Sequence, residues 1–152
     1  MSEIYFYHMT RTPLEATLPL LLTKSLQAGW KVLVRGRDAA QLKWLDEKLW
    51  LGDEAGFLAH GLAGGDHDAE QPVLLTTIPG NPHAANAIIS VDGAALDADE
   101  IAGLKRAMIL FDGNDPDAVA QARIQWKTLT GAGLKAQYWA QEGGAWEMKA
   151  QA

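Results

Sequence analysis

The chain has 152 residues, 48% of them apolar, with 13 Lys and Arg against 19 Asp and Glu, for a formal charge of −6. That length suits a single domain, residues 1–152, with a core of ordinary size, and the absence of cysteine excludes disulfides, thiol catalysis and thiolate zinc sites. The acidic balance argues against tight direct binding of nucleic acid, whose affinity comes largely from phosphate neutralisation, and no apolar run approaches membrane-spanning length.

The first predicted element is a strand at Ile4-Tyr5-Phe6-Tyr7. Pro13 then opens a helix with Leu14, Leu18, Leu21, Leu22 and Leu26 on one face, ending at Gly29. Pro19 inside that pattern should bend or shorten it, since proline lacks the amide hydrogen that a helix interior uses. Lys31-Val32-Leu33-Val34 reads as a buried parallel strand, and Asp38 caps a second helix carrying Leu42, Leu45 and Leu49 inward. The stretch 52–71 is rich in turn signals, with Gly61, Gly64 and Gly65 marking turns. Two more strands follow at Pro72–Thr76 and Ala87–Val91, separated by a turn at Pro79-Gly80-Asn81-Pro82. A short helical pattern at Asp97–Gly103 precedes a strand at Ala107–Phe111. A long helix then runs from Pro116 to about Thr130, and two late runs, Ala136–Ala140 and Trp146–Lys149, read as edge strands. Such alternation predicts an α/β fold: a Rossmann-like domain with a mostly parallel central sheet flanked by helices.

Motifs for chemistry are scarce. Gly131-Ala132-Gly133-Leu134-Lys135-Ala136 has the letters of a dinucleotide fingerprint but the wrong order, because a helix ends there and a strand begins. No nucleotide site is therefore expected. His8, His60, His67 and His83 fit no usual metal spacing, and Asp112–Asp117 lacks the later glutamate of a calcium loop. In that acidic run Asp115 suits a helix N-cap, Pro116 the first helical position and Asp117 the positive end of the helix dipole. No nucleophile elbow or poised carboxylate pair is present. The expectation is a cytoplasmic protein that is not an enzyme, without cofactor, metal or membrane association. A small nucleotide-dependent enzyme on a Rossmann-like sheet is the alternative.

The long helix carries more information. At about 100° per residue, Val119, Ala122, Trp126 and Leu129 form a seam toward the sheet, with Arg123 and Thr130 beside it and Lys127 further round. Arg123 and Lys127 are one turn apart, so they form a cationic pair flanking a large ring. Such a patch can hold a carboxylate in an Arg fork while apolar surface receives a hydrophobic side chain; equally, Trp126 can be core and both cations solvated.

An ordered set of short motifs resembles the chi subunit of bacterial DNA polymerase III. It runs through Phe6-Tyr7-His8, Gly29–Val34, Leu45-Asp46-Glu47-Lys48-Leu49-Trp50, Phe57-Leu58-Ala59-His60-Gly61 and Gln71–Leu75. It continues through Asn86, Phe111-Asp112-Gly113, Ala122-Arg123 with Trp126-Lys127, and Gly133 before Tyr138-Trp139. The resemblance implies a non-catalytic adaptor of the clamp-loader assembly that binds the acidic, phenylalanine-ended C-terminal tail of single-stranded-DNA-binding protein. It places the tail site at Arg123, Trp126 and Lys127. A position one turn earlier that can be basic in the family is Val119 here. A second surface, for a psi-like subunit, falls on Trp50 and Phe57.

Overall fold

The computed structural model describes residues 3–10, 13–50, 60–62, 72–77, 85–94, 96–142 and 145–151. Their elements run β1 (Glu3–Met9), α1 (Leu14–Gln27), β2 (Val32–Arg35), α2 (Ala39–Trp50), β3 (His60–Leu62), β4 (Val73–Thr76), β5 (Ala87–Ser90), α3 (Ala98–Ala102), β6 (Arg106–Asp112), α4 (Pro116–Gly131), β7 (Lys135–Glu142) and β8 (Ala145–Gln151). One sheet holds all eight strands in the order β3-β4-β2-β5-β6-β1-β7-β8. Every pairing is parallel except β7 with β8.

Strand residues alternate between two cores, as a period of two requires. Ile4, Phe6, Leu33, Leu74, Ile88, Ile109 and Phe111 point to one face, where Ile101 of α3 and Ala122 and Leu129 of α4 cover them. Val32, Val34, Leu75, Ile89, Met108 and Leu110 point to the other, under Leu18 and Leu22 of α1 and Leu42 and Leu45 of α2. All four residues of β2, β4 and β5 are buried, which explains their unbroken apolar runs. Burial of each Leu, Ile or Val contributes about 1.5–3 kcal/mol, so these paired layers supply the main favourable term in folding.

Capping chemistry sets the helix ends. The Asp38 carboxylate accepts from the Ala40 amide at 2.9 Å, and the Asp115 carboxylate accepts from the Asp117 amide at 3.0 Å. Asp97 and Glu100 form a capping box on the five-residue α3. Glu100 also meets Arg35, the buried guanidinium at the end of β2, with Nη1 and Oε1 3.0 Å apart. That pair ties α3 to the carboxyl end of the sheet.

Of the two outcomes expected at Pro19, shortening is not seen: α1 is 14 residues long with the proline inside it. Two expectations are corrected. A three-residue strand, β3, lies inside the predicted loop stretch, so Gly61 is a strand residue rather than a turn marker. Only three residues and a central glycine leave no periodic signal to read. Secondly, β7 is not an edge: it lies between β1 and β8, so of the two late runs β8 alone is an edge strand. The expected seam of α4 does face the core, with Ala122 and Leu129 buried and Val119 and Trp126 half-buried against it, and Gln125 joins it as a further buried residue. Gln125 tolerates burial because its side-chain amide donates to the Ala94 carbonyl at 3.3 Å. The turn expected at Pro79–Pro82, like Gly64, Gly65, His67 and His83, lies outside the described residues.

Candidate functional site

α4 crosses the face of the sheet formed by β6, β1 and β7, and its register decides what it shows to solvent. Ala122 and Leu129 point down, so Arg123 and Lys127 fall on the outer flank, both exposed. Among the described residues neither cation pairs with a carboxylate. Trp126 lies between these positions along the helix and is half-buried. Its ring meets Phe6 of β1 edge-on at 5.3 Å between centroids, and Tyr138 of β7 edge-on at 6.1 Å.

The three sequence-predicted residues therefore share the middle of α4, but they differ in kind. The two cations are free to receive an anion, whereas Trp126 is anchored in the core and offers only part of its ring. Its anchoring lowers the entropy lost when a ligand packs against it. Val119 also packs against the core, so a basic side chain there would have to reach past that contact.

Two residues that the helix pattern did not single out join this region. Ile124 is 60% exposed beside Arg123, an apolar side chain on the outer face of α4. Its signal in the sequence is its place opposite the buried seam. Tyr138 sits where β7 passes beside α4, stacked nearly parallel to Phe6 and near Phe111. Burial raises the Tyr138 phenol above its ordinary pKa, and the positive charge of Arg123 opposes that rise. The Arg123 guanidinium and the Tyr138 hydroxyl thus lie within each other's field. No helix periodicity predicts this neighbour, because it comes from a strand after α4.

For the second predicted surface, α2 reaches Trp50, but the side chain of Trp50 and all of Phe57 lie outside the described residues.

A cavity lies elsewhere, at the carboxyl ends of β1, β2, β5 and β6, with a volume of about 770 Å³. Asp92, Asp112, Asp115 and Asp117 line it against Arg37, which donates through Nε to the Asp92 carbonyl at 2.6 Å. At the other end of α4, Gly133 takes a φ of +91° as the chain turns from helix into β7. The Gly131–Ala136 segment is thus a helix exit, as its order predicts. Among the described residues no group of His, Asp and Glu is arranged to hold a metal ion, and no helix is long and apolar enough to cross a membrane.

Over residues 1–137 the sequence matches the family described as DNA polymerase III chi subunit, HolC. The match ends within β7, one residue before Tyr138, so β8 lies beyond it. No curated protein sequence matches the chain.

Proposed function

The chain belongs to the DNA polymerase III chi-subunit family, whose members are accessory, non-catalytic subunits, and from that premise we propose that it is a replisome adaptor gripping the acidic tail of single-stranded-DNA-binding protein. The observation that carries the reading is the pair of exposed cations one turn apart on α4, neither paired with a carboxylate among the described residues, beside an anchored aromatic ring. Arg123 holds a carboxylate of the tail in its guanidinium fork. Lys127 attracts the acidic residues that precede the end of the tail. The terminal phenylalanine packs against the open part of Trp126, with Tyr138 behind it.

A site this small relies on exposed charges, so its affinity falls steeply with salt. Many tails along one coated DNA strand offset modest single-site affinity through effective concentration. The second contact in this reading is a psi-like subunit at Trp50 and Phe57, which would join the chain to the clamp loader; aromatic residues are common hot spots. We read residues 1–152 as one Rossmann-like domain without nucleotide chemistry.

The nucleotide-dependent alternative is disfavoured by the cavity at the strand ends. In sheets of this kind a nucleotide lies there, with its phosphates on helix amides. Here four aspartates line that position, Pro116 has no amide hydrogen, and the Asp115 carboxylate already occupies the Asp117 amide.

The test is a fluorescence titration with an acidic peptide ending in phenylalanine with a free carboxylate, at low and high salt. The expected result is saturable binding that weakens with salt and is lost when the phenylalanine is removed. Arg123→Ala should weaken it by at least tenfold, in line with loss of a charge-assisted hydrogen bond. Unchanged binding by a folded Arg123→Ala variant would overturn the assignment.

A further inference from the structure

We infer, on the basis of the tail-binding reading, that His8 and Gly113 are positioning residues: together they hold Tyr138 in place as the wall of the tail site behind Arg123 and Trp126. The hydroxyl of Tyr138 and Nδ1 of His8 are 2.8 Å apart, although the two residues are 130 positions apart in sequence. In the neutral tautomer protonated at Nε2, Nδ1 is the acceptor for the phenol proton. The two rings also meet edge-on at 5.8 Å, and the imidazole lies 5.2 Å from the ring of Phe111. His8 is therefore held on several sides, and Tyr138 is tethered at its far end.

Gly113 makes this arrangement possible. A Cβ at that position would overlap Cδ2 and Nε2 of the imidazole and come within 2.8 Å of Thr10 Cγ2. The backbone fixes this close approach, since the Gly113 amide donates to the Met9 carbonyl at 2.7 Å. The neighbouring Asn114 side chain donates to the Thr10 carbonyl at 3.1 Å. The ends of β1 and β6 are thereby clamped together, and the imidazole fills the space that glycine leaves.

The consequence reaches the binding face through ring contacts. Tyr138 meets Trp126, whose open part receives the phenylalanine in the proposed mechanism, and its phenol lies in the field of Arg123. Without the His8 acceptor, the hydroxyl turns to solvent and the phenol gains rotamers beside Arg123. Tail binding then has to restrict that freedom, and affinity falls.

The experiment compares the full chain with His8→Leu, His8→Asn, Tyr138→Phe, the His8→Leu/Tyr138→Phe double variant and Arg123→Ala. The probe is an acidic peptide ending in phenylalanine, and a urea midpoint establishes that each variant is folded. His8→Leu and Tyr138→Phe should each weaken binding about three- to tenfold, the range that one hydrogen bond spans. The double variant should be no weaker than the weaker single variant, because both remove the same link. His8→Asn, which keeps an acceptor oxygen near the Nδ1 position, should bind within about twofold of wild type. A merely structural role for His8 would not distinguish Asn from Leu at equal stability. Wild-type affinity in His8→Leu, or an equal loss in His8→Asn, overturns the inference while Arg123→Ala still tests the site itself. Normal binding by Arg123→Ala, or none by the wild type, overturns the tail reading and this inference with it.

Discussion

Replacing Gly113 with alanine sets a methyl group into space that the His8 imidazole already fills. The added carbon overlaps Cδ2 and Nε2 of that ring and lies 2.8 Å from Thr10 Cγ2. The imidazole cannot swing freely away, because Phe111 and Tyr138 pack against it and its Nδ1 is bonded to the Tyr138 hydroxyl. Forcing one extra carbon into a packed site costs about 1–3 kcal/mol. Losing the Tyr138 hydrogen bond adds about 1 kcal/mol. The expected destabilisation is roughly 2–4 kcal/mol, which in a chain of this length lowers Tm by roughly 4–15 °C. Urea denaturation should show a reduced midpoint with an unchanged slope, as for a loss of stability without change in surface exposed. The control is Gly113→Ala in a His8→Ala background, where removal of the ring makes room for the methyl. There the same substitution should cost less than about 1 kcal/mol, a coupling typical of residues in contact. An unchanged cost in that background, or a single variant within about 0.5 kcal/mol of wild type, refutes the steric argument.

The other predictions concern charge and burial. Glu100→Ala removes the carboxylate that faces the buried Arg35 guanidinium and should cost about 3–5 kcal/mol by thermal or chemical denaturation, with part of the loss arising from the α3 capping box. Burial pushes the Tyr7 phenol up to about 12, against an opposing pull from Arg106 and with a further push from Tyr5. Because this folded pKa lies above the unfolded value near 10, the stability it contributes is fully present below pH 10 and is lost as pH rises toward 12. Tyr7→Phe should flatten that alkaline decline by at most about 2–3 kcal/mol, measured as urea midpoints from pH 9 to 11.5.

The central strands were legible in the sequence because Val32–Val34, Val73–Leu75 and Ala87–Ile89 are apolar on consecutive residues, a pattern that burial on both faces requires. The start of α4 was legible for an equally local reason, since Asp115 and Pro116 are cap and first-turn residues whose chemistry acts over two or three positions. The cationic pair followed from helix geometry alone. The inward turn of Gln125 did not, because its burial depends on the Ala94 carbonyl from another segment. Neither did β3, too short to carry a period, nor the interior place of β7, which depends on which strand pairs with which. The amino-acid sequence by itself determined the α/β class, most elements and the cations of α4, since propensity, capping and periodicity act between near neighbours. Only the tertiary structure brought His8, Gly113 and Tyr138 to one place beside Trp126, because strand order, a property of the whole sheet, sets β1 between β6 and β7.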